Sequence, residues 1–182
     1  LRVRDDQPHL ITPRLDPGVP VFSLGRYAGA RRAAIIALKE HGRSDLVPPL
    51  ARVLGDGLAH LLAWGVIDLP LTLVPAPTRR SSARRRGGDP VIRMARAACE
   101  SQQQIAVVGA LRMRAFVRDS VGLSGAERQR NIAGRVKLCK PVSADVVLVD
   151  DIVTTGSTAG ESVRTLQTAG ARVAAVLALA HA

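Results

Sequence analysis

The chain has 182 residues, with 26 Lys+Arg against 15 Asp+Glu, a formal net charge of +11, and 47% hydrophobic and 23% charged residues. That balance excludes a mostly disordered chain and fits a single domain with a sizeable core. Aromatic residues make up only 2%, so the core must be aliphatic, and single-strand nucleic-acid modules built on rows of stacking rings are disfavoured.

Residues 1–25 contain four prolines and no sustained hydrophobic period, the pattern of an irregular N-terminal arm. Residues 27–39 place Ala30, Ala33, Ala34, Ala37 and Leu38 at helical spacing, ending near Gly42. Ser44 is positioned to cap a second helix through about residue 63, with Leu50, Val53, Leu54, Leu58, Leu61 and Leu62 inward. Residues 71–74 form an apolar run that predicts a buried strand stopped by the rigid Pro75-Ala76-Pro77. Gly87-Gly88-Asp89 then leads into a helix over residues 90–100, with Pro90 in its first turn. Residues 105–108 and 115–117 are short strand candidates. Ser124 and Glu127 fit a capping box, which starts a helix running to about residue 132.

Val146-Val147-Leu148-Val149 is a continuous apolar run, as expected of a strand covered on both faces. A loop over residues 150–156 follows, then a helix over 157–169 stopped by Gly170, then a strand over 173–179. Strand, loop, helix and strand in this order make a βαβ unit. The fold class is therefore α/β, with a central, mainly parallel sheet flanked by helices.

The basic excess has an address. Residues 79–96 hold seven arginines and the single acid Asp89, and residues 112–137 hold seven basic residues with Asp119 and Glu127. These two segments account for the whole net charge, and either could be a solvated face or an anion-binding surface. Cys99 and Cys139 stand alone, with no Cys-x-x-Cys, so neither a zinc site nor a disulfide framework is indicated. Two free thiols suit a reducing, cytoplasmic location. No apolar run reaches the length of a membrane span.

The most specific feature is Asp150-Asp151, at the end of the apolar run, followed by Thr154-Thr155-Gly156-Ser157-Thr158. Open α/β sheets bind ligands at the carboxyl ends of their strands. Adjacent carboxylates there suit hydroxyl or metal contacts. Hydroxyl residues around a glycine at a helix start suit phosphate, because the helix dipole and free N–H groups favour an anion. A ligand with a diol one sugar away from a phosphate would satisfy both. No G-x-x-x-x-G-K-[ST] and no G-x-G-x-x-G after a strand supports a P-loop or dinucleotide site.

This stretch resembles the phosphoribosyl-pyrophosphate (PRPP) signature of type I phosphoribosyltransferases, and specifically the ComF family. Val74-Pro75-Ala76-Pro77 with Arg84-Arg85-Arg86-Gly87 is similar to the family's V-P-x-P strand end and its R-G motif. Leu123-Ser124, Glu127-Arg128 and Asn131 are similar to its L-S-x-x-E-R-x-x-N motif, and Tyr27-Ala28-Gly29 with Lys39 and Gly42 resembles the region ahead of the core. The sequence departs from the pattern at Ser120, where a Gln is common, and at Gly88-Asp89-Pro90, where Phe-Asn-Gln is usual. The four-cysteine zinc module carried by many members has no counterpart.

The resemblance implies an N-terminal arm (1–25) and a phosphoribosyltransferase domain (26–182), divided into a helical hood (26–68) and a PRPP-binding core (69–182). Asp150 and Asp151 would hold the ribose hydroxyls and, through water, Mg²⁺. Thr154, Thr155, Gly156, Ser157 and Thr158 would bind the 5′-phosphate, while Pro75 and Ala76 would face the pyrophosphate. Arg86 and Arg128 would act on the leaving group, and residues 118–131 would supply a lid. The implied activity is Mg²⁺-dependent phosphoribosyl transfer from PRPP to an acceptor of unread identity, with links to nucleotide salvage or DNA uptake. The alternative is a non-catalytic module that senses PRPP or a nucleotide and binds DNA through segments 79–96 and 112–137. A homodimer is left open, and no membrane partner is expected.

Overall fold

The computed structural model describes residues 7–78, 89–114, 134–142 and 145–182. In chain order its elements are β1 (His9–Ile11), β2 (Val21–Ser23), α1 (Gly29–Glu40), a 3-10 turn (Ser44–Leu46) and α2 (Val47–Ala63). Then come β3 (Leu71–Pro75), α3 (Pro90–Ala98), β4 (Ile105–Val107), β5 (Leu111–Met113) and β6 (Val136–Leu138). The chain ends with β7 (Asp145–Val153), α4 (Ser157–Thr168) and β8 (Arg172–His181).

Six strands form one sheet in the order β1-β2-β8-β7-β3-β4, parallel throughout except for the antiparallel edge strand β1. The protein is therefore an α/β fold with a mainly parallel six-stranded sheet flanked by helices. The alternation of β7 separates two apolar layers. Val147 and Val149 join Leu71, Leu73, Ala175 and Leu177 beneath α1, α2 and α3, contributing to one cluster. Val146 and Leu148 join Val74, Val176 and the α4 residues Ala159, Val163 and Leu166 in the other. Phe22 is the one aromatic among the buried residues of the two clusters, in keeping with a 2% aromatic content.

This arrangement contains a topological switch point. From β3 the chain crosses by α3 to β4 at one edge, while from β7 it crosses by α4 to β8 on the opposite side. The two crossover helices cover opposite faces, so a crevice opens between the carboxyl ends of β3 and β7.

Several elements differ from the sequence expectation. Residues 1–25 were expected to be irregular, yet they contribute β1 and β2, and β2 lies parallel to β8 through Val21, Phe22 and Ser23. A three-residue strand shows no period, and its pairing with the far end of the chain has no local signal. The same reason hides the β5–β6 ribbon, which pairs Leu111 with Leu138 and Met113 with Val136. Ser44 begins the 3-10 turn rather than capping α2, whose first turn instead carries prolines. The loop expected over 150–156 begins later, because β7 stays paired with β8 as far as Val153. Within residues 26–68, α1 and α2 share one apolar cluster with α3 and the sheet. The strand candidate at 115–117 and the capping box at Ser124 and Glu127 lie outside the described residues.

Helix α2 offers a test of this packing. Leu54 is fully buried beneath it, whereas a Cβ on the neighbouring Gly55 would meet nothing closer than the Ala98 carbonyl at 3.5 Å. Leu54→Ala should cost about 2–5 kcal/mol. Gly55→Ala should instead stabilise by about 0.5–1 kcal/mol, since the helix gains propensity without a clash. Urea denaturation of the two variants would measure both.

Candidate functional site

The acids sit where β7 outruns its neighbour. Pairing with β3 ends at Pro75 opposite Val149, and the Ala76 N–H closes it on the Val149 carbonyl at 2.7 Å. Beyond that point β7 is held by β8, with Asp150 opposite Ala178 and Val153 opposite His181. Asp150 and Asp151 thus lie on the part of β7 that β3 leaves unpaired and β8 still holds.

Their environments differ. Asp151 is almost wholly buried and meets the Lys39 Nζ of α1 at 2.7 Å. Asp150 is half-buried, and one of its carboxylate oxygens accepts the Asp151 backbone N–H at 2.8 Å. Burial, and then the charge of Asp151, hold the Asp150 carboxyl well above the usual carboxylate range, with the Asp151 N–H and Lys39 opposing the rise.

The hydroxyl-rich stretch follows directly. Thr154 and Thr155 are exposed, Gly156 takes a left-handed φ of +83°, and α4 begins at Ser157 with no side-chain cap. The Ser157 N–H donates to the Thr155 hydroxyl at 3.4 Å, and the remaining first-turn N–H groups lack intrahelical partners and point away from the helix start. Exposed Thr158 and half-buried Ser157 stand beside them, the arrangement that suits an anion at a helix N-terminus. The structure thus brings Asp150, Asp151 and residues 154–158 to one edge of the sheet.

The N-terminal arm packs on this loop. The Leu15 N–H donates to the Thr155 carbonyl at 2.8 Å, and a Cβ on Gly156 would fall 2.3 Å from the Leu15 carbonyl oxygen. Glycine is required there twice over, for its φ and for the approach of the arm. Sequence reasoning assigned the site neither Leu15 nor a contact for Lys39. Both reach it by long-range packing that no local pattern announces.

Other expected residues are placed less favourably for direct contact. Pro75 and Ala76 are buried at the end of β3, where proline has no N–H and that of Ala76 is already used. Arg86 and Arg128 lie outside the described residues, but the flanks of both basic segments are described. Thr78 and Asp89 hydrogen-bond across the base of segment 79–88, and Asp89 also accepts the Val91 N–H at 2.9 Å to start α3. The Arg114 N–H closes on the Arg135 carbonyl at 2.7 Å, and buried Glu161 of α4 accepts the Gly134 N–H at 3.2 Å. On that ribbon Arg112 stands opposite Lys137, both exposed, so the pair presents positive charge outward.

Among the described residues no group of three or more His, Cys, Asp or Glu could hold a metal, and no helix is long and apolar enough to cross a membrane. Compared with protein-family models and with curated proteins, the chain matches none.

The raised Asp150 carboxyl makes a stability prediction. Between the ordinary carboxylate range and its elevated value, the native state binds more protons than the unfolded chain, so stability falls as pH rises through that window. Asn keeps the acceptor for the Asp151 N–H and carries no charge. Asp150→Asn should therefore melt above the native chain at pH 7, with the gap closing toward pH 4 and below. Gly156→Ala should cost about 1–3 kcal/mol through strain and displacement of the arm. Melting curves across pH would measure both variants.

Proposed function

We propose that the chain has the type I phosphoribosyltransferase fold, with residues 26–68 as its hood region, and binds PRPP at this edge of the sheet. It would transfer the phosphoribosyl group to an acceptor and release pyrophosphate. The observation that carries this reading is the pair Asp150 and Asp151 in the last part of β7, beyond the end of β3 and shortly before a glycine-initiated helix at the switch point. That spacing suits a ribose diol on the acids and its 5′-phosphate on residues 154–158. The sequence resemblance to the ComF family supports the same assignment.

In the transfer, a lone pair of the acceptor forms a bond to C1 of ribose while the C1–oxygen bond to pyrophosphate breaks. Pyrophosphate leaves with the bonding electrons, and the acceptor loses a proton. Positive charge develops on the sugar and negative charge on the leaving group, so the chain's work is positioning and electrostatic stabilisation. Asp150 and Asp151 would fix the hydroxyls and place negative charge near the developing oxocarbenium. The first turn of α4 would hold the phosphate as the fixed end of the ligand. Arg86 and Arg128 are the proposed partners of the pyrophosphate, for which a guanidinium fork is well shaped.

The donors present suit Mg²⁺. Two adjacent carboxylates, with no group of three or more His, Cys, Asp or Glu among the described residues, match a cation that keeps waters and takes oxygens from its substrate. When bound, Mg²⁺ would neutralise charge on the pyrophosphate, with Asp150 and Asp151 holding it through water.

Titration calorimetry of PRPP with Mg²⁺ tests the reading. The native chain should bind, and Asp150→Asn/Asp151→Asn should weaken binding by about a hundredfold or more, as expected for losing two charged acceptors. Equal affinity in a double variant that remains folded by circular dichroism would reject the site.

A further inference from the structure

We propose that Lys39 is a charge-selecting residue that keeps a free divalent cation off the acid pair and admits the cation only together with a diphosphate. This inference rests on the reading of the site just given and adds a residue to it. Lys39 belongs to the last turn of α1, and its ammonium lies 2.7 Å from Asp151 Oδ2. Its side chain is 27% exposed and that of Asp151 10%, so the ion pair is largely buried rather than on the open surface.

The charge count follows from this contact. Two adjacent aspartates in a crevice would ordinarily attract a dication by themselves. Here one of them already carries a cation built into the fold, whose charge also reaches Asp150. An approaching free dication meets an acid pair with part of its charge already offset and, beside it, an ammonium that repels it. Mg²⁺ also dehydrates reluctantly and binds where several oxygens are offered together. A cation chelated by a diphosphate arrives instead as part of a net anion, which the same ammonium attracts. Lys39 thus turns an acid pair that would suit a bare metal into one selective for a metal–diphosphate.

Placement supports a role beyond holding α1 to the sheet. Helix α1 is already anchored by buried Ala34, Ile35 and Leu38, and the Arg31 guanidinium donates to the Leu179 carbonyl at 2.9 Å. A lysine needed only for packing would not have to reach the Asp151 carboxylate.

The test uses Mn²⁺ alone, read by the loss of free-ion signal in electron paramagnetic resonance, and separately Mn²⁺ with PRPP. The native chain should take up little Mn²⁺ alone at millimolar concentration and should take it up when PRPP is present. Lys39→Met should bind Mn²⁺ alone about tenfold or more tightly than the native chain, since a unit charge in contact with the site is removed. Lys39→Arg should behave like the native chain, and Lys39→Met/Asp151→Asn should lose the gain. Equal Mn²⁺ affinity in Lys39→Met and the native chain would overturn the proposal. So would tight binding of Mn²⁺ alone to the native chain, a result that needs no variant to fold. A native chain that binds neither PRPP nor Mn²⁺ with PRPP, while Lys39→Met gains Mn²⁺, would uphold Lys39 and reject the PRPP assignment.

Discussion

The site depends on one geometric constraint: β7 is longer than β3. Both strands are buried and parallel, but β3 ends in Pro75-Ala76-Pro77, which turns away once Ala76 has bonded Val149. β7 continues to Val153 because β8 is long enough to hold it on the other side. The residues between these two limits are strand on one edge and crevice on the other. Charged side chains in the middle of a central strand would be desolvated without recompense. At this overhang one strand edge is free of β3, and the chain places Asp150 and Asp151 there.

The same overhang explains the asymmetry of the two acids. Asp151 meets the Lys39 ammonium directly, while Asp150 feels that ammonium only at longer range and lies beside the Asp151 carboxylate. Burial and the neighbouring charge of Asp151 make the Asp150 carboxyl hold its proton to higher pH. Function and stability pull against each other at this residue. A neutral side chain would suit the fold better, and an ionised one suits a diol or a hydrated cation.

The layered α/β architecture was legible because its strongest signals are long or sharply bounded. The run Val146–Val149, the glycine that stops α4 and the proline-terminated β3 each carry local chemistry that has few other readings. The acids and the hydroxyl loop were legible for the same reason, as a dense set of polar residues directly after an apolar run. What stayed hidden is non-local. β1, β2, β5 and β6 are three residues each, too short for a period, and they form only because distant partners complete their ladders. The Lys39–Asp151 pair and the Leu15–Thr155 bond join residues from opposite ends of the chain. The sequence contains the residues but not their approach. The boundary of β7 moved for a related reason: aspartates are poor strand formers, yet pairing with β8 overrides their preference.

A crystal structure of the chain soaked with PRPP and Mg²⁺ is the most direct test of the account. It predicts ribose hydroxyls on Asp150 and Asp151, the 5′-phosphate at the start of α4 on residues 154–158, and the pyrophosphate toward the end of β3. PRPP bound elsewhere on the molecule, with the Lys39–Asp151 crevice unchanged, would contradict it.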